Sequence, residues 1–262
     1  MLTGQIKLQK LYHRFRSERQ QPERRGETFF DAAIRLLELD IRFDAQMLAE
    51  IPRSGPVLFI ANHPFGVVDG IVLTWLALKA RPDVKVLANN VLCAAPEARP
   101  FLLPIDFSGS SKGNTTTIET RRIALQSLLG GGSIAIFPGG GVATALSPFG
   151  DRAFDLKWIS YTARLVQRAR PTIVPIYFEG QNSRAFQLAS HISPTLRTSL
   201  FCHEAARLIG KSLKVKIGEP ISHDEIANHK DRETLVEYLR HHTFSLAGRP
   251  HVDWTQSVKT PA

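Results

Sequence analysis

The stretch VLFIANHPFGVVDGIVLTWLALK, residues 57–79, decides the fold. Its first five residues, Val57 to Ala61, form an uninterrupted apolar run, the pattern of a strand buried on both faces. Asn62-His63-Pro64-Phe65-Gly66 supplies turn-forming residues, and Asp69 to Lys79 reads as a largely apolar helix. A strand that passes through a tight turn into a helix opens a parallel α/β unit.

The same alternation continues down the chain. Further strands are predicted at Val84 to Ala88, around Leu102 to Phe107, and at Ser133 to Phe137, Thr172 to Phe178 and Leu213 to Gly218. Helices are predicted at about Thr117 to Leu129, Phe154 to Ala169, Leu196 to Ile209 and Arg232 to Ala247. Thr116 and Glu119 have capping-box spacing for the first of these, and Gly130 ends it. Upstream, residues 28–49 read as continuing helix, closed by Pro52-Arg53-Ser54-Gly55-Pro56. The expectation is an α/β fold, a largely parallel central sheet flanked by helices with an N-terminal helical extension. Its units are a basic amphipathic helical region over 1–54, the α/β domain over 55–250 and a loose tail over 251–262.

With 262 residues, 43% of them hydrophobic and 22% charged, the chain can bury a sizeable core and is not a disordered one. Cys93 and Cys202 are its two cysteines, too few for a disulfide framework, and they form no Cys-x-x-Cys pair. The N-terminus lacks the apolar core of a secretory signal. No segment has the ~18 apolar residues of a membrane span. The charge-free stretch Ile123 to Gly150 is interrupted by Gly130 to Gly132 and by Pro138 to Gly141.

The net charge is +9, and residues 1–25 carry much of it through Lys7, Lys10, Arg14, Arg16, Arg19, Arg24 and Arg25. On a helix Leu8, Leu11, Tyr12 and Phe15 share one face, beside the cations. Such a helix can lie on anionic lipid, contact nucleic acid, or pack on the domain with its charges solvated. The basic residues lack interleaved stacking aromatics, which argues against nucleic acid.

In open α/β sheets, chemistry is sought beyond the carboxyl ends of the strands. His63 directly follows the first strand, where an imidazole can act as a base if a partner fixes its tautomer. Asp69 is the nearest partner. On a regular helix the two would sit about 240° apart, so they meet only if Pro64 and Gly66 turn the backbone. Otherwise His63 is a strand-end cap and Asp69 a helix N-cap. Gly139, Gly140 and Gly141 after Phe137-Pro138 offer backbone N–H groups to an oxyanion or phosphate, or form a turn. Gly109-Ser110-Ser111-Lys112-Gly113 matches G-x-S-x-G, making Ser111 a competing nucleophile. His203-Glu204-Ala205-Ala206-Arg207 misses the zincin pattern at its last position, and no metal ligands are expected.

Taken in order, Asn62-His63 through Asp69, Phe137-Pro138-Gly139-Gly140 and Val174-Pro175-Ile176 resemble the motifs of the glycerolipid acyltransferase family, H-x₄-D and F-P-E-G among them. NHPFGVVDG and VPIYFEGQNSRAF look more like its hemolysin-like branch, which includes lyso-ornithine lipid acyltransferases. The likeness spans about residues 55–220. It implies an O-acyltransferase with His63 as general base on an acceptor hydroxyl and Asp69 orienting it. The co-substrate would be acyl-ACP or acyl-CoA with no bound cofactor, the acceptor a lyso-lipid, and attachment peripheral, at the cytoplasmic face of the membrane. An acyl carrier protein is then a partner.

Three departures from the family pattern bear on the acceptor. Five residues separate His63 from Asp69, Gly139 replaces the motif's Glu, and Phe107 follows Ile105-Asp106 where Arg often stands. The usual phosphate contacts are therefore altered. This favours lyso-ornithine lipid or a related aminolipid over lysophosphatidic acid, unless Arg121, Arg122, Arg184 or Lys112 restores the cation. Asn62, Pro138, Glu179, Gln181, Asn182 and Arg184 complete the expected substrate-binding set. For Glu179, Gln181 and Asn182 an ammonium-binding role and a loop-ordering role stand side by side. A serine hydrolase and a non-catalytic lipid-binding protein are the alternatives.

Overall fold

A computed structural model describes residues 2–89, 93–105 and 111–248. The chain opens with helices α1 (Leu2–Glu18) and α2 (Phe29–Leu36), strand β1 (Asp40–Arg42) and helix α3 (Ala45–Ala49). It continues through β2 (Val57–Ala61), α4 (Val67–Ala80), β3 (Lys85–Asn89), β4 (Leu102–Ile105), α5 (Ser111–Leu129) and β5 (Ser133–Ile136). Next come the short strands β6 (Thr144–Ala145) and β7 (Ala153–Phe154), then α6 (Ser160–Ala169) and β8 (Thr172–Phe178). Helices α7 (Arg184–Ile192) and α8 (Pro194–Arg207), strand β9 (Ser212–Ile217), α9 (His223–Ile226) and α10 (Arg232–Ser245) complete it.

Seven strands form one sheet in the order β1-β9-β8-β2-β5-β3-β4, while β6 and β7 make a separate antiparallel pair. From β8 to β4 every pairing is parallel, and β9 runs antiparallel to β8. At its centre β2 is buried along its whole length, paired with β5 on one side and β8 on the other. Its side chains alternate between two cores. Val57, Phe59 and Ala61 join α2 and α4, including Phe30, Val72, Leu73 and Leu76. Leu58 and Ile60 join α5, α6 and α10 through Leu128, Leu165 and Leu239. The adjacent carboxyl ends of β2, β5 and β8 consequently lie at one edge of the molecule.

Three local expectations are corrected. Residues 28–49 are not one helix: β1 interrupts them and pairs with β9, Ile41 opposite Leu213. Thr116 is no N-cap, because α5 begins at Ser111, and Glu119 instead pairs with Arg122 at 2.7 Å. The helix predicted from Phe154 starts only at Ser160, since Ala153 and Phe154 pair with β6 and the intervening residues are drawn into tertiary hydrogen bonds. Among the described residues no helix is long and apolar enough to cross a membrane.

The apolar face of α1 turns inward. Leu8 and Leu11 pack on the main core, Phe15 is buried, and the Tyr12 hydroxyl donates to Glu97 at 2.9 Å. Close approach to α8 depends on Gly4, where a Cβ would meet His203 Cα at 2.7 Å and the Cys202 carbonyl oxygen at 2.8 Å. Gly4→Val should therefore destabilise the protein by about 1–3 kcal/mol in urea denaturation and speed labelling of the Cys202 thiol.

Candidate active site

The site is built on the turn between β2 and α4. Gly66 is the N-cap of α4 with φ +85°, a backbone conformation that L side chains rarely adopt. A Cβ there would also meet Val142 Cγ2 at 3.1 Å. This bend brings together the two residues that a regular helix would hold apart. His63 Nδ1 lies 3.0 Å from Asp69 Oδ2, and the Phe65 amide donates to both Asp69 oxygens, at 2.9 and 3.1 Å. Asp69 is fully buried in the first turn of α4, where the helix N-terminus favours its negative charge.

A carboxylate on Nδ1 keeps the proton there and leaves the basic lone pair on Nε2. Among the described residues Nε2 has no hydrogen-bond partner, and the imidazole is 16% exposed. The Phe137 ring, just past β5, stacks on the imidazole with centroids 4.0 Å apart and planes 22° from parallel. Two buried groups thus hold the imidazole in place, and its side chain remains partly exposed. The arrangement suits proton abstraction from a hydroxyl.

A second carboxylate, which the sequence reading missed, supports the same turn. Asp155 accepts from the His63 backbone N–H at 3.1 Å and from the Trp158 indole N–H at 3.0 Å. Burial raises its pKa above the ordinary carboxylate range, against the opposing pull of those two hydrogen bonds. Asp155-x-x-Trp158 was the available signal, hidden by assigning both residues to a helix. The Ala143 amide completes the support by donating to the His63 carbonyl at 2.8 Å.

The glycine loop divides its work. The Gly140 amide closes a turn on the Phe137 carbonyl at 2.9 Å, with φ +68°. The absent side chain at Gly141 makes room for Leu156, whose Cδ1 would lie 2.8 Å from a Cβ. Neither the Gly139 nor the Gly141 amide donates to a described acceptor. The Pro138 carbonyl accepts from the Ile159 amide at 3.0 Å.

The remaining expected site residues sit around this turn. Asn62 clamps the end of β8, donating to the Phe178 carbonyl at 3.0 Å and accepting its amide at 2.7 Å. Gln181 accepts from the Ala153 amide at 2.8 Å and donates to the Asp151 carbonyl at 2.9 Å, so it orders the 151–153 segment. Asn182 is buried, and its Nδ2 has no hydrogen-bond partner among the described residues. Asn62, Pro64, Asp155, Tyr177, Glu179 and Gln181 line a cavity of about 500 Å³ that opens beside the turn.

Of the replacement cations, Arg122 pairs with Glu119, Arg184 pairs with Asp151 at 2.6 Å on the surface, and Arg121 lies over Tyr161 at 5.0 Å. Lys112, Asp106, Phe107, Gly109 and Ser110 fall outside the described residues or side chains, as does the Ser111 side chain. Arg197, not singled out from sequence as a site residue, donates to the Val142 carbonyl at 2.5 Å and to Thr144 Oγ1 at 2.8 Å. Burial lowers its pKa, and no carboxylate among the described residues neutralises it. It is a cation set two hydrogen bonds away from the His63 backbone. No cluster that could hold a metal occurs among the described residues.

A family model described as Acyltransferase matches residues 12–250. The chain belongs to the acyltransferase family. Two curated relatives bear the name lyso-glycine lipid O-acyltransferase. The one from Phocaeicola vulgatus is 26% identical over 204 residues, covering 75% of this chain and 69% of its own. The other, from Bacteroides thetaiotaomicron, is 24% identical over 230 residues, covering 84% and 80%. The crystal structure of the 1-acyl-sn-glycerophosphate acyltransferase PlsC from Thermotoga maritima shares the fold, with a TM-score of 0.54 and 16% identity over 84% of this chain and 76% of that one. This acyltransferase therefore carries its His63–Asp69 pair on a PlsC-like sheet.

A carboxyl group whose native pKa exceeds its unfolded value holds its proton more tightly when folded. The stability tied to Asp155 is therefore fullest below the ordinary carboxylate range and declines as pH climbs toward the raised value. Thermal unfolding across pH should show the margin of wild type over Asp155→Asn to be largest in acid and to narrow as pH rises.

Proposed function

We propose that this acyltransferase moves a fatty acyl group from an acyl thioester to the hydroxyl of an amino-acid-headed lyso-lipid. The observation that carries the reading is the His63–Asp69 pair, with a buried carboxylate on Nδ1 and no hydrogen-bond partner for Nε2 among the described residues. The acceptor oxygen attacks the thioester carbonyl carbon as its proton passes to Nε2. The tetrahedral intermediate then collapses, the C–S bond breaks, and the imidazolium returns the proton to the departing thiolate. Asp69 stabilises the imidazolium in between. The Gly139 and Gly141 amides are the candidate donors to the oxyanion.

Relatives named for lyso-glycine lipid support an amino-acid head. A glycine or ornithine joined to lipid through its nitrogen keeps a carboxylate, and Arg197 is a cation near the site with no acidic partner among the described residues. Coenzyme A and acyl carrier protein both present the acyl group as a thioester, and either fits this chemistry. Peripheral attachment at the cytoplasmic face of a membrane is part of the proposal.

Purified protein should transfer labelled acyl groups to lyso-glycine or lyso-ornithine lipid in mixed micelles, with His63→Ala lowering kcat by ~10²- to 10⁴-fold. Faster transfer to lysophosphatidic acid would change the acceptor class. Labelling by a fluorophosphonate that Ser111→Ala abolishes, without transfer to any acceptor, would refute the reading. Arg197→Gln should raise KM about tenfold for a carboxylate-headed acceptor while leaving that for its methyl ester unchanged.

A further inference from the structure

Among the described residues nine large apolar side chains are exposed: Ile6 stands on α1, Ile118, Ile123 and Leu129 stand on α5, and the other five gather in one region. Leu146 and Phe149 follow β6, Leu188 and Ile192 stand on α7, and Leu196 stands on α8. Hydrogen bonds bind these segments into one surface. The Ala145 amide donates to Gln187 Oε1 at 2.8 Å, His191 Nε2 lies 2.9 Å from the Ala145 carbonyl oxygen, and Arg197 reaches Thr144.

Helix α7 buries Phe186 but mixes polar and apolar residues on both faces. Gln187 and Ser190 face inward, 1% and 2% exposed, while Leu188 and Ile192 face outward at 39% and 64%. Phe149 is 90% exposed in the turn Ser147-Pro148-Phe149-Gly150, which the Gly150 amide closes on the Ser147 carbonyl at 3.0 Å. Proline at the second position fixes φ there and stiffens the turn. An exposed aromatic ring on a proline-stiffened turn near exposed aliphatic side chains forms an apolar patch, and such patches mark interaction sites.

We infer that the outer face of α7, the 146–150 turn and Leu196 form the surface by which the enzyme seats on an anionic lipid bilayer, with the His63 site at its margin. The inference rests on the lyso-lipid reading of the acceptor and names the surface that presents that acceptor. Three observations select a bilayer as the occupant. The patch is continuous with the active-site loop, since Ala143, which holds the His63 carbonyl, is three residues from Leu146. A projecting aromatic with aliphatic neighbours inserts among lipid headgroups. Basic groups border it: Arg197 at the start of α8, and α1, packed along α8 with Lys7, Lys10 and Arg14 exposed. Because Leu8, Leu11 and Phe15 of α1 already pack on the core, α1 contributes mainly charge and the α7 surface contributes insertion.

The test is co-sedimentation of the full chain with vesicles of equal parts phosphatidylglycerol and phosphatidylcholine. The double variant Phe149→Asp, Ile192→Asp should lower partitioning at least about tenfold, with an unchanged thermal midpoint, and the loss should persist at high salt. Lys7→Gln with Lys10→Gln should weaken binding only at low salt. Transfer to a short-chain acceptor kept below its micelle concentration should be unaffected by the double variant, while transfer to vesicle-embedded acceptor falls. Wild type that fails to pellet, or a double variant that pellets equally, overturns the inference. So does a wild-type dimer in analytical ultracentrifugation that the double variant abolishes, which would make a second copy the occupant. Absence of transfer to any acceptor with vesicle binding intact would instead refute the lyso-lipid reading.

Discussion

The fully buried carboxylate of Asp69 is the constraint on which the rest of the site depends. An ionised carboxylate out of contact with water is costly unless donors surround it, and here the Phe65 amide, His63 Nδ1 and the N-terminal turn of α4 do so. Satisfying that one group fixes three things at once: the bend after β2, the entry of α4 and the tautomer of His63. The positive φ of Gly66 is what allows the bend. The bend, the helix entry and the imidazole orientation therefore depend on the same hydrogen bonds.

Around this centre the protein uses loops that contribute little regular structure. Asp155 ties the segment before α6 to the His63 amide, Phe137 covers the imidazole from the end of β5, and Ala143 holds the His63 carbonyl. The glycines between Phe137 and Ala143 let Leu156 approach closely. The His63 turn is gripped from several sides, which is how a site keeps one geometry without itself lying on a helix or strand.

Polarity at the surface follows a similar economy. Helix α1 is amphipathic by sequence, yet its apolar residues complete the core and its cations remain outside. Helix α7 mixes the two, burying Phe186 together with Gln187, which accepts from the Ala145 amide, and turning Leu188 and Ile192 outward. Helical periodicity identifies two faces of an amphipathic helix, and the neighbouring elements decide which face meets solvent.

The sequence by itself determined the central architecture. Val57–Ala61 and Thr172–Phe178 are runs long and apolar enough to have only one comfortable place, the middle of a parallel sheet. His63, Asp69 and the Phe137–Gly141 loop were legible because their residue types are unusual at strand ends. Tertiary structure alone decided the rest. A three-residue strand such as β1 carries too little periodicity to be read locally and exists because β9 offers it an edge. Asp155 lies 92 residues from the amide it accepts, and Arg197 lies 55 residues from the Val142 carbonyl it binds. Contacts at such separations leave no pattern in neighbouring residues, because what fixes them is the folded path of the chain.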